Sequence, residues 1–81
     1  AAYPNPFNPT TTLSFSIPVD SEVILSIYNL QGRQVSTLVN GNMAAGYHSV
    51  VWNADRYSSG VYIVKMMTSE FTKTQKLMLM K

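Results

Sequence analysis

The chain has 81 residues, of which 46% are hydrophobic and 12% are charged, and it carries a formal net charge of +2. This length predicts a single small domain with a thin margin of stability. Cysteine is absent, which excludes disulfides and thiolate metal sites as supports for the core. Charged residues are about half as frequent as usual, so we expect neighbouring molecules or a parent protein to cover part of the surface.

The positive charge does not indicate a nucleic-acid-binding protein. The lysines Lys65, Lys73, Lys76 and Lys81 are spread over the last two strand-like segments, whereas phosphate-binding proteins usually cluster their cations on one face. No apolar run approaches the roughly 18 residues that are needed to span a bilayer. The sequence therefore predicts neither a nucleic-acid partner nor a transmembrane segment.

Residues 1–9 form a proline-rich segment, which we call the strap. Prolines lack a backbone N–H and push the preceding residue toward an extended conformation, so the strap is predicted to lack a regular ladder and to be held by its side chains. Tyr3 and Phe7 are its expected apolar anchors, while Asn5 and Asn8 precede prolines and are expected to initiate turns. The simplest interpretation is an ordered lead into the first strand, and the candidate recognition or assembly residues of the strap are Tyr3, Pro4, Asn5, Pro6, Phe7, Asn8 and Pro9.

Three strands are predicted in the first half of the chain. Thr10–Ile17 alternates apolar and polar residues, which is typical of a half-buried strand. Residues 23–28 are apolar on most of both faces and predict a central strand, and residues 33–39 predict a third, weaker one. The dipeptide Asn40-Gly41 then predicts a tight turn, because both residue types tolerate positive φ.

Three further strands are predicted at residues 47–53, 61–68 and 71–80. No segment shows the apolar spacing of a helix with plausible caps. The regular succession of short strands and turns therefore predicts an all-β, immunoglobulin-like antiparallel β-sandwich of six or seven strands, formed as one domain from residues 1–81.

The large apolar residues of these strands are the expected core. Trp52 is best interpreted as the central core aromatic of the sandwich. If Trp52 were exposed together with Tyr47 and Tyr57, the three rings could instead form a carbohydrate-binding platform. The predicted structural core residues are Phe15, Leu25, Ile27, Trp52 and Tyr62.

Catalytic and metal-binding chemistry finds no support in the sequence. His48 is the only histidine, and it falls on a strand face beside Val50 rather than in a recognisable site. No serine occupies a nucleophile elbow, and the glycines lie singly at turns rather than in a phosphate loop. We therefore expect no enzyme activity, no metal and no cofactor.

The last predicted strand ends in a lysine-flanked apolar run. Its lysines can act as gatekeepers that keep an edge strand from pairing with other sheets. The same strand can also serve as a terminal address that a receptor reads by adding it to a sheet. The predicted recognition residues of this strand are Lys73, Lys76 and Lys81.

Five blocks of the chain resemble, in the same order, the C-terminal sorting domain of the type IX (Por) secretion system. The strap sequence Tyr-Pro-Asn-Pro-Phe-Asn-Pro is similar to the opening signature of that family, and Trp52 lies in a block that resembles its central strand. Asn53 departs from the pattern, since the family often has aspartate after this tryptophan. The immunoglobulin-like domain of the flagellar hook-capping protein is similar in the later blocks. The five blocks are residues 3–9, 27–32, 46–53, 59–62 and 76–81.

The resemblance implies a non-enzymatic module of a secreted protein. Its partners would be the outer-membrane translocon and a sortase-like peptidase, and its destination would be the extracellular space or the outer cell surface after passage through the periplasm. The low charge and the strap also allow a different hypothesis. In that alternative, the chain is a homo-oligomeric structural subunit of an extracellular filament or surface layer, joined through the strap and the edge strands.

Overall fold

A computed structural model describes residues 2–80 of the chain. These residues form seven β-strands that are joined by short turns. The strands are β1 (Ala2–Tyr3), β2 (Thr10–Ile17), β3 (Ser21–Asn29), β4 (Gln34–Met43), β5 (Gly46–Asn53), β6 (Gly60–Thr68) and β7 (Thr72–Leu79).

The strands form two antiparallel sheets, one with the order β1-β2-β5 and the other with the order β4-β3-β6-β7. Strands β3 and β6 pair on both sides, which agrees with the predicted central position of residues 23–28. None of the described residues forms a helix long and apolar enough to cross a bilayer. The predicted all-β sandwich is therefore confirmed.

The core lies between the sheets, because alternate residues of each strand face the same way. Among the core residues expected from the sequence, Leu25, Ile27, Trp52 and Tyr62 are buried. Phe15 differs, since it is only partly buried and packs on the core from one side. It lines a cleft at an open edge of the sandwich, so part of its ring stays in contact with solvent.

The prediction of a turn at Asn40-Gly41 is wrong. Both residues lie inside β4, where they pair with Ile24 and Val23 of β3. The chain turns a few residues later, and Gly46 has the positive φ of 124° there. Pairing along the whole of β3 outweighs the local turn preference of the dipeptide, so β4 is longer than the weak strand that the sequence indicates.

Candidate functional site at the strap and the last strand

The strap connects the two sheets. Ala2 and Tyr3 pair with Leu13 and Thr12 of β2, in the three-stranded sheet. Phe7 then forms an isolated parallel bridge to Leu79 of β7, in the four-stranded sheet. The strap therefore crosses the edge of the sandwich and joins the first residues of the domain to its last strand.

Asn5 binds the backbone of β7 through its side-chain amide. Its Nδ2 donates a hydrogen bond to the carbonyl oxygen of Lys76 over 3.0 Å, and its Oδ1 accepts one from the N–H of Met78 over 3.0 Å. Pro4 and Pro6 on either side have no N–H to offer. The carboxamide of Asn5 thus supplies the donor and the acceptor that a strand backbone would supply to its neighbour.

Phe7 anchors the strap through both its backbone and its ring. Its N–H donates to the carbonyl oxygen of Met78, and its own carbonyl oxygen accepts from the N–H of Met80, each over 2.9 Å. Its side chain is 2% exposed, and its ring centroid lies 5.6 Å from that of Trp52. Phe7 therefore belongs to the core of its own sandwich and is not free to enter a neighbouring copy.

The carbonyl oxygens of Pro4 and Pro9 accept hydrogen bonds as well. The buried Thr11 donates from Oγ1 to the carbonyl oxygen of Pro4 over 2.7 Å. The N–H of Ala54 donates to the carbonyl oxygen of Pro9 over 2.8 Å. These bonds fix both ends of the proline-rich stretch to the sandwich.

Two expectations about the strap need correction. Backbone hydrogen bonds hold it at β1 and at Phe7, so it is not held by side chains alone. Tyr3 is not a buried anchor, since it is 81% exposed. It pairs with Thr12, whose neighbours Thr11 and Leu13 face the core, so the ring of Tyr3 lies on the outer face of the sheet.

Trp52 is the centre of an aromatic cluster under the strap. Its ring lies 5.6 Å from Tyr57 and 5.5 Å from Tyr62, centroid to centroid. The two tyrosine hydroxyls donate to the carbonyl oxygens of Val35 and Ser58. Trp52 is 3% exposed, so it cannot form the sugar platform that was considered with Tyr47 and Tyr57.

The lysines of the final strand occupy different surroundings. Lys76 is exposed beside the Asn5 contact. Lys73 is also exposed, and its Nζ lies 5.4 Å from the centre of the Phe71 ring. Lys81 lies outside the described residues.

The strap and β7 together form one continuous outer surface, which we call the composite surface. On the β7 side, Met78 and Met80 are 40% and 57% exposed. On the strap side, the two prolines that flank Asn5 are exposed. The composite surface consists of Pro4, Asn5, Pro6, Lys76, Met78 and Met80.

Catalytic groups are not assembled at this surface. His48 lies on β5, where its Nε2 is 2.6 Å from the carbonyl oxygen of Ala44 and its ring packs near Phe15. Within residues 2–80, no three histidine, aspartate or glutamate side chains come close enough to hold a metal ion. The chemistry that this surface offers is apolar contact, hydrogen bonding and positive charge.

The pairing of Asn5 with β7 is the feature that sequence reasoning missed. Asn5 was expected to start a turn because a proline follows it. A carboxamide between two prolines is, however, the main hydrogen-bonding group available in such a stretch. An asparagine between two prolines therefore indicates a hydrogen bond from its carboxamide to an edge strand, but the pattern does not identify that strand.

Comparison with known proteins identifies the family. The family model described as the secretion system C-terminal sorting domain matches residues 1–80. No match was found among curated proteins or among solved structures. The matched residues include both the strap and β7, and the chain belongs to the family of type IX secretion system C-terminal sorting domains.

Proposed function

We propose that this domain directs a secreted protein through the outer membrane by presenting the composite surface to the type IX translocon. The family match supports a sorting role. The observation that supports this particular surface is the set of hydrogen bonds from Asn5 and Phe7 to β7, which brings the opening and closing blocks of the family pattern together.

The chemistry of the composite surface suits recognition by a protein. Methionine side chains adapt to differently shaped partners, and the exposed prolines add rigid apolar area beside them. Lys76 contributes a positive charge to the same surface. A receptor would read these side chains while the strap already occupies the adjacent part of the β7 edge.

We also propose the later steps that the resemblance implies. A sortase-like peptidase would remove the domain and leave the cargo at the outer cell surface or in the extracellular space. The domain itself would be non-catalytic and would act only as the signal. The filament alternative has no observation in its favour, and the burial of Phe7 within its own chain removes one of the strap residues that could have joined two copies.

The strand order supports an immunoglobulin-like topology in addition. Constant-type immunoglobulin sandwiches place the first, second, fourth and fifth strands in one sheet and the third, sixth and seventh in the other. The sheets β1-β2-β5 and β4-β3-β6-β7 agree with that division for every strand except β4, which pairs with β3 instead of β5. We infer an immunoglobulin-like topology in which the fourth strand belongs to the other sheet.

A reporter fusion tests the proposed surface. Truncating the last residues is a poor test, because Leu77 and Leu79 are core residues and their loss would unfold the domain. The double variant Lys76→Glu, Met78→Ser changes only exposed side chains. In a bacterium with a type IX system, we expect this fusion to accumulate in the periplasm, whereas the parent fusion reaches the medium or the cell surface.

A matched control uses exposed residues elsewhere on the sandwich. Tyr47 and Val51 are 93% and 59% exposed on the outer face of β5, and the double variant Tyr47→Ser, Val51→Ser should be secreted normally. The mass of the secreted reporter also reports whether the domain has been removed. Normal secretion of the Lys76→Glu, Met78→Ser fusion, at unchanged thermal stability, would contradict recognition through the composite surface.

A further inference from the structure

One edge of the sandwich is only half closed. The strap crosses the seam between β2 and β7, with Ala2 paired to Leu13 and Phe7 bridged to Leu79. Beyond Leu13, toward Phe15, the seam opens into a cleft of about 140 Å³. The strap therefore closes one end of this seam and leaves the other end accessible.

The cleft has an apolar lining drawn from both sheets. An apolar cavity of about this volume holds one group of the size of benzene. The cleft therefore has room for one side chain as large as leucine or phenylalanine. Its apolar lining residues are Leu13, Phe15, Leu25, Val64 and Met66.

An unpaired strand edge lies directly beside the cleft. In an antiparallel ladder, alternate residues direct their N–H and C=O groups away from the partner strand. Lys76, Met78 and Met80 direct such groups to the strap, so Thr74 directs its own groups to the same outer side. Within the described residues, no strand pairs with β7 at this position.

Two lysines lie beside the open edge. Lys73 is the charged residue that lines the cleft, and Lys76 is exposed three positions further along β7. Two copies of the chain that joined through this edge would bring these lysines close together, which is unfavourable. The charge favours an acidic partner over a second copy.

We propose that residues 72–75 of β7 bind an extended acidic peptide segment by strand addition. The segment would lie in line with the strap along the same edge of β7. It would place one apolar side chain in the cleft and a carboxylate two positions away, on the same face, near Lys73. This site does not depend on the sorting role, and either proposal can fail without the other.

A short synthetic peptide tests the site. The probe is acetyl-Glu-Thr-Leu-Thr-Glu-amide, and the control peptide has lysine in place of both glutamates. Each is titrated into the ¹⁵N-labelled 81-residue chain and followed by NMR. We expect saturable shifts of the amides of residues 72–76 and of Phe15, with the lysine peptide bound at least about tenfold more weakly. Equal binding of both peptides, or shifts located elsewhere, would overturn the proposal.

Two variants separate the backbone contact from the cleft. Thr74→Pro removes the outward N–H at a position where an edge strand tolerates proline, and Thr74→Val keeps that N–H. We expect Thr74→Pro to weaken the probe at least about tenfold and Thr74→Val to leave its affinity within about threefold.

Gln75→Phe keeps every backbone group and fills the mouth of the cleft, so it should abolish binding of the probe. If the Thr74→Pro chain does not fold, the Gln75→Phe chain still tests whether the probe binds at the cleft. Unchanged affinity of the probe for a folded Gln75→Phe chain would overturn the proposal. Secretion of a Gln75→Phe reporter fusion reports on the sorting role separately, because residue 75 lies outside the composite surface.

Discussion

The side chain of Asn5 shows how a proline-rich segment can still join a sheet. Two prolines remove the backbone donors around it, and its carboxamide makes the two bonds to β7 in their place. Asn8 is also followed by a proline, yet it is exposed and bonds to no part of β7 in the structure. An asparagine followed by proline thus bonds to β7 at one position of the strap and not at the other.

Replacing Asn5 should destabilise the domain more than replacing Asn8. Asn5→Ala removes two hydrogen bonds and leaves the carbonyl oxygen of Lys76 and the N–H of Met78 with only water as a partner at that edge. We expect the free energy of unfolding in urea to fall by about 1–2 kcal/mol. Asn8→Ala is the matched control and should change it by less than about 0.5 kcal/mol. Equal losses in the two variants would show that the carboxamide contact does not stabilise the strap.

The two aromatic residues of the strap show what the sequence could predict at this scale. Both were expected to be anchors, since large apolar residues are usually buried. Phe7 is buried against Trp52, but Tyr3 is placed by its pairing with Thr12 on the outer face. The face that Tyr3 occupies depends on its register with β2, and a strand of two residues such as β1 is too short to show that register in the sequence.

At the scale of the strands, alternation predicted β2, β5 and the central position of β3 correctly. The prediction is wrong at β4, because the dipeptide Asn40-Gly41 is typical of a tight turn but lies inside the strand. In the structure, Gly41 pairs with Val23 on the core-facing row, and a Cβ added there would meet no atom within 4 Å. A local turn signal was outweighed by a pairing that only the folded sheet provides.

Gly41 should accept a β-branched side chain. Gly41→Val removes the conformational freedom of glycine from a strand and adds a residue that strands favour, so we expect the free energy of unfolding to rise by about 0.5–1 kcal/mol. Gly46 is the matched control, because its φ of 124° strains any other residue. Gly46→Val should lower the same quantity by about 1–3 kcal/mol. A destabilised Gly41→Val chain would argue for a real turn at residues 40–41.

At the scale of the whole molecule, the strap and β7 form one cooperative unit. The N–H of Met80 bonds only to Phe7 across the edge, and the N–H of Phe7 bonds back to Met78. Neither bond can persist when the strap leaves. The pairing of segments more than 70 positions apart was not predictable from local patterns, although the family resemblance drew attention to both segments.

Hydrogen exchange should reveal this unit. We expect the amides of Phe7 and Met80 to open with the same free energy, below that of Ile27 in the centre of the four-stranded sheet. Asn5→Ala should lower the protection of both amides by a common factor of about 5 to 30, which corresponds to the loss of stability expected above. If the amide of Met80 stays protected while that of Phe7 exchanges, the strap and β7 do not open as one unit.

Because the strap bonds to the last strand, this contact can form only late, after both segments have emerged. Asn5 and Phe7 leave the ribosome, or any narrow channel entered from the N-terminal side, long before residues 76–80 do. During that interval the backbone groups of residues 76–80 have not yet emerged, so the strap has nothing to bond to and the seam between the sheets cannot close. Folding of the domain is therefore completed only after its last strand emerges, and a chain that is stalled a few residues short of Met80 lacks the bonds that hold Phe7 in place.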